Sequence, residues 1–547
     1  MKQYLWCLLC LPLLAPAQSK KKKLQAEMKS RNERVVQLTT HVQYLSDDRL
    51  EGRRTGTQGE ELALQYITDQ YRVMGLAPAG TDGFVQEFII NEGKQPDTST
   101  RLVVEGHTLT LMKDYFPLAY SKPCSLNASP AMALQESGEP WFWDLKETLE
   151  ANKSNPHFSL PDAIREHAKK GASKKATALF IYNSAAIPDN IQYNKFDSSA
   201  TADLPLVYLT QSAIGKYFTD PAATISIDLR IDFVNRIRKG KNIAGFIDNH
   251  AEHTVIVGAH FDHLGYGEDK TALDTGHVIH NGADDNASGT AALIELTRML
   301  IKSAPANNNY LILHFSGEEL GLLGSKYWLE HPTKNISANY MINMDMVGRY
   351  DTARKLTIGG YGTSPVWSEV VPAISAPLVT HFDSTGSGPS DHASFYRKDI
   401  PVLFLFTGSH PDYHKATDDW DKINYVGEEE IVRWVYRLLE ATNGKGKIPF
   451  TKTREPQMGR SSGFTVSLGV IPDYGFTGTG MRIDGVSPGK LAEKLGLQAG
   501  DILLQLGSYS FVDVSAYMQS LSKFKKGDKT TLRYKRGAEE KVVDVQF

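Results

Sequence analysis

Thr254-Val-Ile-Val-Gly-Ala-His-Phe-Asp262 is the stretch on which the fold turns: an apolar run from Thr254 to Gly258 that reads as a strand and then gives way to His260 and Asp262. Outward from it the pattern repeats. A helix is expected from about Ser288 to Ile301, with further strands over Tyr310–Phe315, Tyr340–Met344 and Val402–Phe406. Such alternation predicts an α/β domain in which a mainly parallel mixed sheet is sandwiched by helices. In open sheets of this kind, functional side chains gather in the loops beyond the carboxyl ends of the strands.

Upstream, from Leu24 to Gly75, apolar residues such as Leu62, Leu64, Tyr66, Ile67, Tyr71 and Met74 recur at helical spacing and Gly75 stops the pattern. Between Thr98 and Asp232 the texture changes to short strands, among them Thr177–Tyr182 and Leu204–Leu209, which predicts a mostly β insert over residues 98–235. The sheet-and-helix domain is then made of residues 18–97 and 236–450. A polar, turn-rich linker is expected at 451–462, followed by a separate unit of short strands and one or two helices over 463–547.

Of 547 residues 41% are hydrophobic and 22% charged, which excludes disorder, collagen and coiled coil. Sixty Lys and Arg against 63 Asp and Glu leave a net charge of -3, so no bulk positive field is present to collect nucleic acid or an anionic membrane. Met1-Lys2, an apolar run from Tyr4 to Leu14 and Ala15-Pro16-Ala17 read as a secretory signal cleaved after Ala17. A lipoprotein reading at Cys10 is disfavoured, because Leu8-Leu9 lacks the small residues that precede a lipidated cysteine. Cleavage removes Cys7 and Cys10 and leaves Cys124 without an internal disulfide partner. No later stretch has the length of a membrane span, so a soluble periplasmic or extracellular protein is expected.

Five places carry metal-ligand side chains: His260 with Asp262, Asp284 with Asp285, Glu318 with Glu319, Asp345, and His414 after Tyr413. One such residue at a strand end is ordinarily a loop residue or a helix cap. Five in one domain form a cluster whose carboxylates would repel unless a cation neutralised them. Histidine and carboxylate without thiolate suit catalytic zinc, with manganese or cobalt as substitutes. Two His and three carboxylates exceed one tetrahedral ion but suit two ions sharing a carboxylate, which points to a two-metal hydrolase.

At these residues the sequence resembles the M28 family of zinc peptidases: Gly258-Ala-His-Phe-Asp-His-Leu-Gly265, Gly282-Ala-Asp-Asp-Asn-Ala-Ser-Gly289, Ser316-Gly-Glu-Glu-Leu-Gly321, Asn343-Met-Asp-Met-Val-Gly348 and Tyr413-His414. The resemblance implies the zinc exopeptidase fold. It makes His260 and Asp345 ligands of one zinc, Glu319 and His414 ligands of the other, Asp285 the bridge and Glu318 the general base. It also implies that the Asp262 carboxylate orients the His260 imidazole, and that Tyr413 stabilises charge on the substrate carbonyl oxygen. Asp284 is expected to support the loop, and Asp391 and His392, in Gly388–Phe395, to be cleft scaffolding.

The insert resembles a protease-associated domain, on Ala178–Asn183 and Leu204–Leu209. The tail resembles a PDZ domain, on Ser467–Val470, Val486–Gly489, Gly496–Asp501 and Gly527-Asp528, which implies a peptide or protein ligand held by the Ser467–Val470 loop. Together these imply an exported di-zinc exopeptidase with two Zn2+ per chain, an aminopeptidase acting on peptides with a free N-terminus. A glutamate-type carboxypeptidase, a single-zinc glutaminyl cyclase and a non-catalytic binding ectodomain are the alternatives. A carboxypeptidase of that type would need a cationic clamp, and Arg349 and Lys415, the basic residues nearest the motifs, read as solvated or structural.

Overall fold

The structure, a computed structural model, describes residues 15–155, 158–197, 199–268, 271–274, 276–351, 355–408, 410–453, 466–472, 478–486, 490–512, 514–521 and 523–547, with only the backbone over 15–24 and at 471, 484, 514, 515, 518 and 519. Most of the expected signal segment and of the expected linker therefore lie outside the described residues. The chain divides into two compact units, Met1–Phe88 with Lys239–Glu455 and Ile89–Arg238 with Pro456–Phe547.

The first unit is built on a nine-stranded sheet. Its strands are β1 (Ala77–Pro78), β2 (Val85–Pro96), β3 (Phe233–Ile247), β4 (His253–His260), β5 (Asn308–Phe315), β6 (Ala338–Met344), β7 (Leu356–Gly359), β8 (Thr380–Phe382) and β9 (Val402–Phe406). They lie in the order β1-β3-β5-β4-β6-β9-β7-β8, with β2 beside β3. From β5 through β4 and β6 to β9 the pairing is parallel. On the flanks, β3 runs antiparallel to both β1 and β5, and β7 antiparallel to β9. The sheet is therefore mixed, with parallel pairing concentrated at its centre: β3 returns from the second unit and not from a β-helix-β crossover, the connection that makes neighbours parallel.

The helices are α1 (Ala15–Leu45), α2 (Gln58–Met74), α3 (Gly289–Ser303), α4 (Leu323–Glu330), α5 (Pro365–Ile374), α6 (His392–Tyr396) and α7 (Tyr425–Thr442). Gly75 ends α2 in the left-handed region, at φ 75°, where its N–H reaches the Arg72 and Tyr71 carbonyls. Successive strand residues serve two cores. Val255, Val257 and Ala259 of β4, with Tyr310 and Ile312 of β5, pack with α1, α2, α3, α5 and α7. Ile256, Leu311, Leu313 and Phe315 pack with Trp328 of α4 and Phe395 of α6. A large apolar side chain gains about 1.5–3 kcal/mol on full burial, and a one-residue slip would exchange the two cores, so the register is fixed. Because the central strands are parallel, their carboxyl ends at His260, Phe315, Met344 and Phe406 open on one edge of the sheet.

In the second unit, one four-stranded sheet pairs His107–Thr108, Arg101–Val104, Ile227–Ile231 and Cys124–Ala128 in that order, and another pairs Tyr115–Pro117, Leu206–Leu209, Leu179–Tyr182 and Trp141–Asp144. Against the second lies a helix, Leu160–Ser173, capped by the Ser159 hydroxyl and burying Ile164 and Ala168 on Leu179, Ile181 and Leu206. Residues 89–238 thus carry helix as well as strand. The tail forms a six-stranded sheet around Leu468, Met481, Ile483, Leu503, Leu506, Leu532 and Tyr534. Cys124 is a free, half-buried thiol whose pKa burial pushes up to about 11. No helix of the described residues is long and apolar enough to cross a membrane.

Candidate metal centre

His260 is the last residue of β4, Glu318 and Glu319 follow β5, Asp345 follows β6, and His414 lies in the segment between β9 and α7. Asp285 sits in the turn Ala283–Ser288 that leads into α3. That turn begins at Gly282, φ 55°, where a Cβ would collide with the Asp285 carbonyl and the His263 ring. Parallel pairing has carried five separated sequence motifs to one place.

Asp285 is the centre of the arrangement. His260 Nε2 stands 3.5 Å from Asp285 Oδ1 and 3.4 Å from Asp345 Oδ1. His414 Nε2 stands 3.2 Å from Asp285 Oδ2 and 3.4 Å from Glu319 Oε2. Each carboxylate oxygen of Asp285 thus faces a different histidine and a different second carboxylate.

Charge is packed here among buried side chains, His260, Asp285 and Asp345 among them. Burial disfavours a charged His260, yet Asp345, Glu318 and Asp285 around it hold its pKa well above the ordinary histidine value. Glu318 is pushed well above the usual carboxylate range, first by burial and then by Asp345 and Asp391, with His260 opposing. Glu319 is likewise raised, by burial and by Asp285. Against burial, Asp285 is lowered by His414 and His263, and Asp345 by His260. Despite burial, His414 is raised to about 9 by Asp285 and Glu319. The raised pKa values of His260 and His414 reflect an excess of carboxylate around them, a charge balance that suits a set of cation ligands.

The remaining sequence candidates surround this cluster. The Asp262 carboxylate accepts from Thr55 Oγ1 at 2.9 Å and from the Glu318 N–H at 3.1 Å. The group nearest His260 Nδ1 is the Asp262 main-chain carbonyl, at 3.2 Å, with the carboxylate at 3.7 Å. Tyr413 stacks on His414 with ring centroids 3.9 Å apart, and burial followed by Asp285, Glu319 and Glu318 raises its phenol pKa. Asp284 accepts from the Gly348 N–H at 2.7 Å and from Ser288 Oγ at 3.0 Å, tying the turn to the loop after β6. Asp391, fully buried at the head of α6, adds to the field at Glu318, and His392 stacks on Phe404. Arg349 pairs with Asp412 at 3.2 Å and Asp418 at 3.1 Å, and Lys415 donates to the Pro411 carbonyl.

Two residues in the cluster have no assigned role in the sequence reading. His263 is buried with Nδ1 2.8 Å from Glu319 Oε1, a hydrogen bond that braces Glu319. It stands 4.0 Å from Asp285 Oδ2 and so also falls within a geometric group with Asp285 and Glu319. Asp418 accepts the main-chain N–H groups of Asp284 and Asp285, at 2.9 and 3.0 Å, and holds the turn in place. His263 lies inside the motif that ends at Gly265 and could have been found there. Asp418 carries no local pattern.

The residues fit divalent metal. Ligands of one four-coordinate zinc with bonds of about 2.0–2.1 Å stand about 3.3 Å apart. The four separations from His260 and His414 to the carboxylates, 3.2 to 3.5 Å, match that spacing, whereas the 2.8 Å from His263 to Glu319 is a hydrogen-bond length. Asp345 Oδ1 is buried with no hydrogen-bond partner among the described residues.

Aminopeptidase YwaD of Bacillus subtilis (strain 168) is 27% identical over 288 residues, 49% of this chain and 56% of its own length. A probable leucine aminopeptidase of Arthroderma otae (strain ATCC MYA-4605 / CBS 113480) is 30% identical over 210 residues, 35% of this chain and 54% of its own. The chain thus spans little more than half the length of these two relatives. The solved aminopeptidase from Aneurinibacillus sp. strain AM-1 superposes at TM-score 0.43 with 20% identity, covering 77% of this chain and 96% of that one. Residues 242–439, the segment that supplies His260, Asp285, Glu318, Glu319, Asp345 and His414, match the family model of peptidase family M28.

Proposed function

We propose that this protein is an exported di-zinc exopeptidase, an aminopeptidase that releases N-terminal residues from peptides. The observation that carries the reading is Asp285, whose two oxygens face His260 with Asp345 on one side and His414 with Glu319 on the other. His260, Asp285 and Asp345 would hold one ion, and Asp285, Glu319 and His414 the second, with His263 bracing Glu319. When bound, two such ions lower the pKa of water toward neutrality and polarise a substrate carbonyl.

The chain's own residues do the rest. Glu318, raised in pKa by its buried setting, takes the proton of the attacking water and returns it to the departing amine. Asp262 holds the Glu318 main chain through its N–H and presents its own carbonyl to His260 Nδ1, leaving Nε2 turned to the carboxylates. Tyr413, stacked on His414, offers a hydroxyl to the substrate carbonyl oxygen as charge develops there. The surplus of carboxylate suits a substrate ammonium group. A glutamate-type carboxypeptidase would need a free cation instead, and Arg349 is committed to Asp412 and Asp418. The aminopeptidase names of the two relatives agree with this choice. A protease-associated insert, a PDZ-like tail with a peptide ligand, and export through residues 1–17 complete the reading.

Metal analysis with a peptide panel tests it. About two zinc ions per chain are expected, with cleavage abolished by N-terminal acetylation and tolerant of C-terminal amidation. One ion per active chain would favour the cyclase reading, and the reverse peptide pattern would favour the carboxypeptidase.

A further inference from the structure

The segment between α1 and α2 lies far in sequence from every motif of the centre, yet its side chains are spent there. Arg53 is 1% exposed, and among the described residues its guanidinium makes hydrogen bonds to main-chain carbonyls alone: Nε to Phe261 at 2.9 Å, one terminal nitrogen to Asn281 at 2.7 Å and to Leu45, the other to Gly282 at 3.0 Å. Phe261 lies between His260 and Asp262, and Asn281 and Gly282 lead into Asp284 and Asp285. One planar fork therefore fixes the loop after β4 against the turn before α3. Thr55 makes the complementary link, since its hydroxyl donates to Asp262 Oδ2 at 2.9 Å and accepts from the Gly317 N–H at 3.1 Å. This fixes the loop after β4 against the loop that carries Glu318 and Glu319. The main chain joins in, the His263 N–H reaching the Arg53 carbonyl at 3.2 Å and the Gly265 N–H the Gly52 carbonyl at 3.1 Å.

A buried guanidinium with no carboxylate partner is costly, and burial lowers the Arg53 pKa to about 10. What offsets the cost is the field of Asp285, Asp262, Asp418 and Glu319, none of which it touches. Were its role only to staple α1 to the sheet, a neutral side chain would serve at lower cost.

We propose that Arg53 and Thr55 are positioning residues that form the floor of the metal centre, Arg53 setting the distance from His260 to Asp285 and Thr55 the distance from His260 to Glu319. This rests on the two-metal reading above. A lysine at 53 keeps the charge but cannot address four carbonyls from one plane, so it does not substitute. Outer contacts of metal ligands are worth about 10–100-fold in affinity, which sets the scale expected for R53K, R53M and T55V, with T55S restoring the wild-type value.

The test is zinc affinity, measured by competition with a chromogenic chelator, together with the melting temperature of each full-length variant with and without zinc. Expected are a weaker zinc affinity in R53K, R53M and T55V, and a smaller rise in melting temperature on loading, since that rise reports ligand binding to the folded state. Equal falls with and without zinc at unchanged affinity would assign both residues to scaffolding and overturn the inference. If the Arg53 variants do not fold, the T55V and T55S pair decides it by the same two readouts. Wild-type protein that binds no zinc would overturn the metal reading itself, an outcome visible before any variant is compared.

Discussion

Buried and half-buried carboxylates in this molecule are treated in two opposite ways. In the tail, Asp501 is 1% exposed and satisfied: Arg536 meets it with two nitrogens, at 2.7 and 2.6 Å, and the Gln498 N–H adds a third bond at 3.0 Å. In the first unit, Asp285, Glu318, Glu319 and Asp345 crowd together, and among the described residues no Lys or Arg touches any of them. The first arrangement is the fork-to-fork pair by which a fold secures a buried charge. The second costs stability for as long as it is uncompensated, and a chain keeps it only where another ligand supplies the charge. A buried carboxylate therefore says little by itself; what it lacks says more.

The contrast is broken or sharpened by four measurements. The largest effect is expected at Glu318, which is assigned a proton and no metal. E318Q should keep its zinc and its melting temperature while turnover falls roughly 10²–10⁴-fold. Loss of zinc from this variant, seen by elemental analysis, would move Glu318 among the ligands.

Next comes Glu319, where the sign of the stability change depends on the metal. Removing one charge from a repelling cluster should raise the melting temperature of zinc-free E319Q. With zinc added the order should reverse, because a ligand is gone. A lower melting temperature than wild type in both states would mean that the cluster is not strained without metal.

D501N should behave in the opposite manner. Losing a charged hydrogen bond to Arg536 should destabilise the tail, read as a lower urea midpoint for its unfolding, with zinc content and short-peptide hydrolysis unchanged. A fall in zinc content would show that the two environments are not separate.

Smallest is the effect of deleting residues 456–547 on hydrolysis of a short free peptide. All proposed ligands lie between His260 and His414, so the rate should stay within about twofold of wild type, and only longer substrates or a docked partner should suffer. A folded, zinc-loaded deletion variant that is inactive on dipeptides would place part of the active site in the tail.

The central strands were legible because their residues meet apolar neighbours on both faces, leaving runs such as Val402–Phe406 that stand out in the sequence. The expected Tyr340–Met344 and Tyr310–Phe315 fall inside the observed Ala338–Met344 and Asn308–Phe315. The polar ends, Asn308 and Asn339, were missed because their side chains are paired with each other and not exposed. The helix Leu160–Ser173 in the second unit was missed because its buried stripe is thin, with Ile164 and Ala168 among charged residues. The antiparallel flanks of the sheet have no local pattern at all, since direction depends on which strand arrives beside which.

Sequence by itself determined the α/β core, the order of the metal-ligand motifs and the composition of the site, because each of these is written in residues close together along the chain. Only the tertiary structure decided that Asp285 divides its two oxygens between two histidines, that the Asp262 carbonyl rather than its carboxylate lies nearest His260, and that His263 braces Glu319. It alone brought Arg53 to Phe261, 208 positions away, and Thr55 to Asp262, 207 away. A guanidinium that binds main-chain carbonyls reads no side-chain identity in its partners, so nothing in the sequence at either end announces the contact.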